Sequence, residues 1–196
     1  GSQNVFAYTN TIAGFGVNIA HDTEIDDSRT ADGAMGAQGT SIDGSNSSFA
    51  ITNSSLVEGL SFGAGYGETD VKDGTATATD IETVIGFANY TMGPVTVGYT
   101  QGESSGGAKG HDMHEMEAYG IAFAVNENLS LSYNNHEVTY AKTSGNVDQS
   151  SDKDGIAIAY SMGGASVKIQ NNETDGSATS NTHVEDRTEV NLSLAF

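Results

Sequence analysis

The sequence is poor in residues on which many other classes of protein depend. It has no cysteine, no tryptophan and one proline among 196 residues. Without cysteine, disulfide bonds and thiolate metal sites are excluded. Seven lysine and arginine residues stand against 26 aspartate and glutamate residues, a formal net charge of −19. That balance argues against a nucleic-acid partner and against a polybasic membrane-surface segment.

Long apolar runs are also absent. No stretch approaches the ~18 consecutive apolar residues that a transmembrane helix needs, and the mean hydropathy is −0.33. A barrel strand shows only every second residue to lipid, so a hydrophilic average does not exclude a membrane barrel. The length fits one domain, which we expect over residues 1–196.

The last ten residues, RTEVNLSLAF, show the pattern most clearly. Val190, Leu192, Leu194 and Phe196 alternate with polar or small residues, which predicts a strand with one apolar face. An apolar strand at the end of a soluble chain is unusual, because strand ends are mobile and strand edges are sticky. This ending is typical of a strand that closes a membrane barrel.

The same alternation recurs along the whole chain. It predicts eleven strands, at 5–9, 15–21, 48–53, 60–66, 81–90, 95–101, 119–125, 129–134, 156–160, 165–170 and 187–196. The facing of strand 81–90 stays open, because Ile85 and Phe87 compete with Val84 and Tyr90 for the apolar face.

The predicted connections alternate in length. The short ones lie near 10–14, 54–57, 91–94, 126–128 and 161–164, and the long polar ones near 22–46, 69–79, 102–114, 141–153 and 171–183. Short periplasmic turns and long external loops are the arrangement of an up-and-down outer-membrane barrel.

Each strand sets large apolar residues against small or polar ones. A soluble barrel needs large side chains inside to fill its core, so we expect the large residues to face lipid and the small ones to face water. Some tyrosines are candidates for an interfacial girdle, with ordinary strand aromatics as the alternative: Tyr66, Tyr90, Tyr99, Tyr133 and Tyr160.

Taken together, the chain resembles the carboxyl-terminal part of bacterial general diffusion porins of the alphaproteobacterial type. The resemblance lies in NVFAYTNTIAGFGVNIAHD, TMGPVTVGYTQG, NENLSLSYNN, GIAIAYSMGGASVKIQ and TEVNLSLAF. It implies an all-β, transmembrane, antiparallel up-and-down barrel of sixteen strands, forming a water-filled homotrimer in the outer membrane among lipid and lipopolysaccharide. It also implies that the third external loop folds inward and narrows the pore. No Ser–His–Asp or paired-carboxylate set has compelling spacing in the sequence, so we expect no enzymatic activity.

Eleven strands fall short of that number. The first connection is short and therefore periplasmic, so the first strand would start outside, which an even-stranded barrel does not do. We therefore expect about five amino-terminal strands and the constricting loop to be missing from residues 1–196. A twelve-stranded barrel starting at residue 1 is the alternative.

Five residues are candidates for lining the pore. Lys168 lies on the polar side of its strand, because a lysine in lipid costs ~2–4 kcal/mol. Arg187 shares its parity with Glu185 and Glu189, and Asn134 lies on the small-residue side of its own strand. Such charges bias ion selectivity when they border a pore; otherwise they are solvated wall residues.

Acidic and histidine clusters offer a weak metal hypothesis. Asp22, Glu24, Asp26 and Asp27 suit Ca²⁺ through oxygen ligands, although no EF-hand spacing is present and a solvated acidic loop is the simpler interpretation. The segment HDMHE at 111–115 lacks the spacing of a zinc protease, so at most an incidental site is expected there.

The function that follows is a passive diffusion channel for ions and small hydrophilic solutes. It needs no cofactor, with Ca²⁺ at external loops as a possible addition, and it binds no nucleic acid. The acidic balance predicts a cation preference if the acids line the vestibule. The alternatives are a soluble or surface-exposed Ca²⁺-binding β-rich adhesion module and a channel specific for an oligosaccharide or peptide.

Overall fold

The computed structural model describes residues 5–25, 44–70, 79–107, 113–141, 148–177 and 180–194, and antiparallel strands make up most of these residues. The strands are β1 Val5–Ile12, β2 Phe15–Ile25, β3 Gly44–Asn53, β4 Leu60–Thr69, β5 Thr79–Met92, β6 Val95–Gly107, β7 Met113–Ala124, β8 Leu129–Ala141, β9 Gln149–Met162, β10 Ala165–Ser177 and β11 Ser180–Leu194. Among the described residues, no helix is long and apolar enough to cross a membrane.

The eleven strands form one sheet in chain order. Each pairs antiparallel with the strand before and after it, so the predicted up-and-down architecture is confirmed. In the described part of the chain, β1 pairs only with β2 and β11 only with β10, which leaves the sheet open.

The short connections have the turn chemistry of tight hairpins. Ala13 and Gly14 join β1 to β2 with φ of 52° and 83°, the left-handed pair of a type I′ turn. Gly93 joins β5 to β6 with φ of 58°, ahead of Pro94. The side chain of Asn53 donates to the carbonyl of Gly14 at 2.8 Å and accepts from the backbone amides of Ser55 and Leu56. It therefore links the turn after β1 to the turn after β3.

The strands extend further toward the long connections than the hydropathy pattern predicts. β10 and β11 stay paired up to Ser177 and Ser180, with a register shift between Asp175 and Ser177. The described residues of the predicted loop 171–183 are therefore strand, and 178–179 lie outside the described residues. β9 likewise begins at Gln149. The difference has a physical reason: backbone hydrogen bonds hold the ladder, whereas hydropathy reports only the part that meets an apolar medium.

The cross-strand register divides the side chains between two faces. The apolar face carries residues such as Tyr90, Val97 and Ile121, which are direct cross-strand partners. The opposite, polar face carries mostly serine, threonine, glycine, alanine and asparagine. Side chains on the apolar face are widely exposed, for example Leu192 at 63% and Met162 at 64%, whereas Ser104 on the polar face is 5% exposed. A sheet curved toward its polar face produces this asymmetry.

The register also settles the facing of β5. Val84 pairs with Tyr66 and Tyr90 with Leu60, so both point to the apolar face. Ile85 and Phe87 therefore lie on the polar face, opposite to the rule followed by most other large apolar residues of the sheet.

The apolar face changes character toward the long connections. On four strands, the apolar residues of this face end in a tyrosine on the side of the long connections, and acidic residues follow on the same face. These tyrosines are Tyr66, Tyr99, Tyr119 and Tyr133. The Tyr66 hydroxyl lies 3.3 Å from Glu68, and the Tyr133 hydroxyl donates to Asp154. These tyrosines have the polar tip and apolar body of an interfacial girdle.

The tilt of the strands follows from where the first acidic residue beyond the apolar residues lies on each strand. Cross-strand partners followed from Asp186 on β11 lead to Phe62 on β4, six residues below the first acid there, Glu68. That is about 20 Å along the strand over about 34 Å of sheet, a tilt of roughly 30°, close to the strand tilt of outer-membrane barrels. From Val84 to Met92, the apolar face of β5 is about 23 Å high after this tilt, near the ~25 Å of a membrane band.

A charge introduced on either face of β9 distinguishes the two environments. Ile158 lies between Leu131 and Ile169 on the apolar face. We expect Ile158→Lys to lower the free energy of unfolding in lipid vesicles by about 2–4 kcal/mol, and the adjacent Ala157→Lys on the polar face to lower it by less than about 1 kcal/mol. Urea titration measures both, and equal losses would contradict the assignment of faces.

Candidate functional site

Charge is divided unevenly between the two faces. The ten carboxylates among the paired residues of β3–β10 all lie on the apolar face: Glu68, Glu82, Glu103, Glu115, Glu117, Glu137, Asp152, Asp154, Glu173 and Asp175. Within those paired residues, the polar face carries none. The net charge of the chain therefore does not describe the charge of this wall.

The basic side chains lie on the other face. Lys153, Lys168 and Arg187, on β9, β10 and β11, are the lysines and arginine of the described ranges, and all three point to the polar face. Arg187 pairs with Glu189 at 2.5 Å, and Gln170 donates to the same carboxylate at 2.7 Å. Within the described strands neither lysine has a carboxylate within ion-pair distance. Their charges are therefore directed at the solvent that meets the polar face.

A pair of amide side chains lies beside this basic sector. Asn134, Gly155, Asn172 and Arg187 form one cross-strand row. A Cβ atom added at Gly155 would lie 2.7 Å from the side-chain oxygen of Asn134 and 2.9 Å from that of Asn172. The two amides thus converge over the glycine and present hydrogen-bonding groups next to the guanidinium.

Apolar residues occupy another part of the polar face, on β4 and β5. A Cβ atom added at Gly63 would lie 2.7 Å from the ring of Phe87, and one at Gly65 would lie 3.4 Å from the Ile85 side chain. Both large side chains therefore lean over the glycines of β4. Ile85 is 37% exposed, so part of this apolar surface meets solvent.

The five residues that the sequence nominates for the pore all lie on the polar face. Lys168 pairs with Asn191, Arg187 with Asn172 and Asn134 with Gly155. Their role in lining a pore stays a prediction. Strand parity could not predict the Arg187–Glu189 ion pair, which neutralises part of the charge expected on this face. Glu185 lies 3.9 Å from the His183 ring.

The acidic cluster proposed for Ca²⁺ is only partly described. Asp22 lies within β2, on the polar face, where it pairs with Val5 and Asn46 rather than starting a loop. Glu24 belongs to the same strand. Asp26 and Asp27 lie outside the described residues, so the Ca²⁺ hypothesis stays a prediction.

Strand alternation separates the residues of the HDMHE segment. His114 is buried on the polar face, with its ring 5.0 Å from that of Tyr140, whereas Glu115 points to the other face. His111 and Asp112 lie outside the described residues. Two neighbours on opposite faces cannot bind one ion.

A different acidic group comes together at the loop ends of β4 and β5. The carboxylates of Glu68, Asp70 and Asp80 lie within 4.8 Å of one another. Asp70 also accepts a hydrogen bond from Ser45. Exposed acidic groups of this kind are common without a metal, so we assign none.

Three features of the polar face were missed by sequence reasoning: Lys153, which was placed in a polar connection, the Asn172 amide, and the facing of Ile85 and Phe87. Strand pairing supplies the missing signal. The partners of Tyr66 and Tyr90 fix the parity of β5, and the pairing of Lys153 with Thr174 places it in a ladder.

Comparison with solved structures gives outer-membrane proteins. A loop-L8 deletion mutant of OmpT, an outer membrane protein of Vibrio cholerae, matches with a TM-score of 0.68 at 14% identity, over 97% of this chain and 62% of that one. A porin matches with a TM-score of 0.60 at 17% identity, again over 97% and 62%. The in-vitro folded trimer form of V. cholerae OmpT matches with a TM-score of 0.59 at 13% identity, over 96% and 61%.

These matches establish the class of fold. The sheet has the fold of the wall of an outer-membrane β-barrel, and the chain spans 61–62% of the length of the structures it matches. No protein-family model matches the sequence, and no curated protein matches it.

The close packing of the Phe87 ring over Gly63 can be tested by adding one methyl group at Gly63. At Gly63 an added Cβ would also lie 2.8 Å from the carbonyl oxygen of Ile51, which cannot move aside easily. We expect Gly63→Ala to lower the free energy of unfolding by about 1–3 kcal/mol. Gly67→Ala, on the same face of the same strand, has its nearest contact at 3.9 Å and should be nearly neutral. Urea titration in vesicles compares the two, and similar losses would contradict the packing described.

Proposed function

We propose that this chain forms part of the wall of a passive diffusion channel in the bacterial outer membrane. The observation that carries the proposal is the opposition of its two faces: an apolar, widely exposed face with a girdle of tyrosines, and a small, polar face with hydrogen-bonding and basic groups. A single layer of this kind separates lipid from water. The fold shared with a porin supports the same conclusion.

The mechanism we propose is filtration by pore radius and field. Hydroxyl and amide side chains replace water around a passing solute without binding it tightly, and fixed charges bias which ions enter. Cross-strand bonds such as Asn46 to Thr69 at 2.8 Å and Thr83 to Ser104 at 3.2 Å hold the polar side chains against the wall. We propose no catalytic step and therefore no enzymatic activity.

The net charge predicts a cation preference only if acidic side chains line the channel, and β3–β10 do not meet this condition. That preference requires acids along the water-filled space, and the ten paired carboxylates of β3–β10 point the other way. On the polar face of β9–β11, three basic residues stand against Glu185 and Glu189. We therefore assign the channel no preference from net charge alone.

The setting of the channel is part of the proposal. We propose an outer-membrane protein of the porin class, in contact with lipid and lipopolysaccharide and assembled as a homotrimer, as the trimer form among the matched structures suggests. The narrower assignment to the alphaproteobacterial type and to a sixteen-stranded barrel rests on the sequence resemblance. A soluble adhesion module is disfavoured, because side chains such as Leu192 and Val190 are 63% and 67% exposed and would aggregate in water.

The first experiment is single-channel recording of the protein, purified from outer membranes in detergent and inserted into planar bilayers. Discrete, long-lived conductance steps are expected. A preparation that is soluble without detergent and gives no steps would refute the channel.

The charges of β11 offer a matched pair of substitutions. Glu189→Gln removes a carboxylate from the polar face and leaves Arg187 without its ion pair, whereas Asp186→Asn removes one from the opposite face. We expect Glu189→Gln to shift the zero-current potential in a KCl gradient toward anions, more so at low salt because screening is weaker there. Asp186→Asn should leave it nearly unchanged, and equal shifts would contradict the proposed wall.

A further inference from the structure

The polar face contains a cross-strand row in which three of four residues have apolar side chains, which a purely hydrophilic wall does not need. Ile85, Gly102, Met116 and Val138 are successive cross-strand partners on β5, β6, β7 and β8. Met116 and Val138 pair directly, so their side chains lie about 5 Å apart on the same face. Both are partly exposed.

The row ends beside a lysine. Val138 pairs with Ser151 on β9, and Lys153 lies two residues further along that strand on the same face. Such a diagonal neighbour is about 7–8 Å away and within reach of a long side chain. Lys153 pairs directly with His136 and Thr174, neither of which is a carboxylate. The carboxylate in the cross-strand row of Lys153 is that of Glu185 on β11, the partner of Thr174, two strands and about 10 Å away.

The surroundings of this cation favour an external anion. No carboxylate lies on the polar face of the paired residues of β3–β10, and within the described strands Lys153 makes no ion pair. Its ammonium group has a flexible apolar stem that can lie along Val138 while the charge stays in water. One end of the row is therefore cationic and the rest apolar.

We propose that Lys153, Val138 and Met116 form a solute subsite on the channel wall for small organic anions with an apolar tail, such as medium-chain monocarboxylates. The carboxylate meets the Lys153 ammonium group, and the alkyl chain lies over Val138 and Met116 toward Ile85. The inference rests on the proposed channel function and deepens it by naming a class of solute.

Two anions of equal charge and carbon number test the subsite. Hexanoate has an alkyl tail, whereas gluconate carries hydroxyl groups along its chain. Zero-current potentials of the detergent-purified protein in planar bilayers, with gradients of the potassium salts, give the permeability of each anion relative to K⁺. Burial of a few methylene groups predicts a hexanoate-to-gluconate ratio about three- to tenfold above the ratio of their mobilities in water.

Variants separate the apolar and the charged parts. Val138→Thr combined with Met116→Thr should bring the ratio back to the mobility ratio, and Lys153→Gln should lower hexanoate more than gluconate. Lys168→Gln is the matched control, because its cross-strand partners are Ala159 and Asn191, and it should affect both anions alike. Val97→Thr makes the isosteric change on the other face and should alter neither.

Each outcome decides a separate claim. Channels whose hexanoate-to-gluconate ratio is the same in the wild type and in the double variant overturn the subsite and leave the channel standing. A preparation without conductance overturns the channel and the subsite together. If the double variant does not insert, Lys153→Gln against Lys168→Gln still decides: equal effects on both anions refute the subsite.

Discussion

A strand in a single-layer sheet gives alternate side chains to two different surroundings, and the structure depends on that constraint. In the described part of the chain, no other element packs against either face of this sheet. Each face must therefore suit the medium it meets. Backbone pairing satisfies the peptide groups in both media, which is why strands can continue past the apolar band into a charged region.

The same constraint explains how a strongly acidic chain can present basic side chains on its polar face. Composition adds both faces and the long connections together, whereas a passing solute meets one face only. Along β9, Asp152 and Asp154 point one way and Lys153 points the other. A one-residue change of register would exchange these two environments, so the ladder determines which charges lie on each face of the sheet.

Sequence reasoning was most successful where alternation was strong. Val95–Gln101 and the stretch around Leu192 could be assigned from their own residues, because large and small side chains take turns without exception. It was less successful at the loop ends, where polar residues alternate with other polar residues and give no signal of the strand. It could not settle β5, since both of its faces carry large apolar residues, and only pairing with Tyr66 and Leu60 decides between them.

The residues that break the alternation are those that carry information about function. A strand wall needs no apolar side chain on its wet face, and placing one there forgoes the stabilisation that burial would bring, about 25 cal/mol for each Å² left in water. Ile85 partly avoids this loss by leaning over Gly65. Met116 and Val138 are direct cross-strand partners. Apolar residues that occurred on the polar face independently of one another would not be expected to pair in this way. Departures that align across strands are better explained by a shared contact with solute than by drift in the pattern.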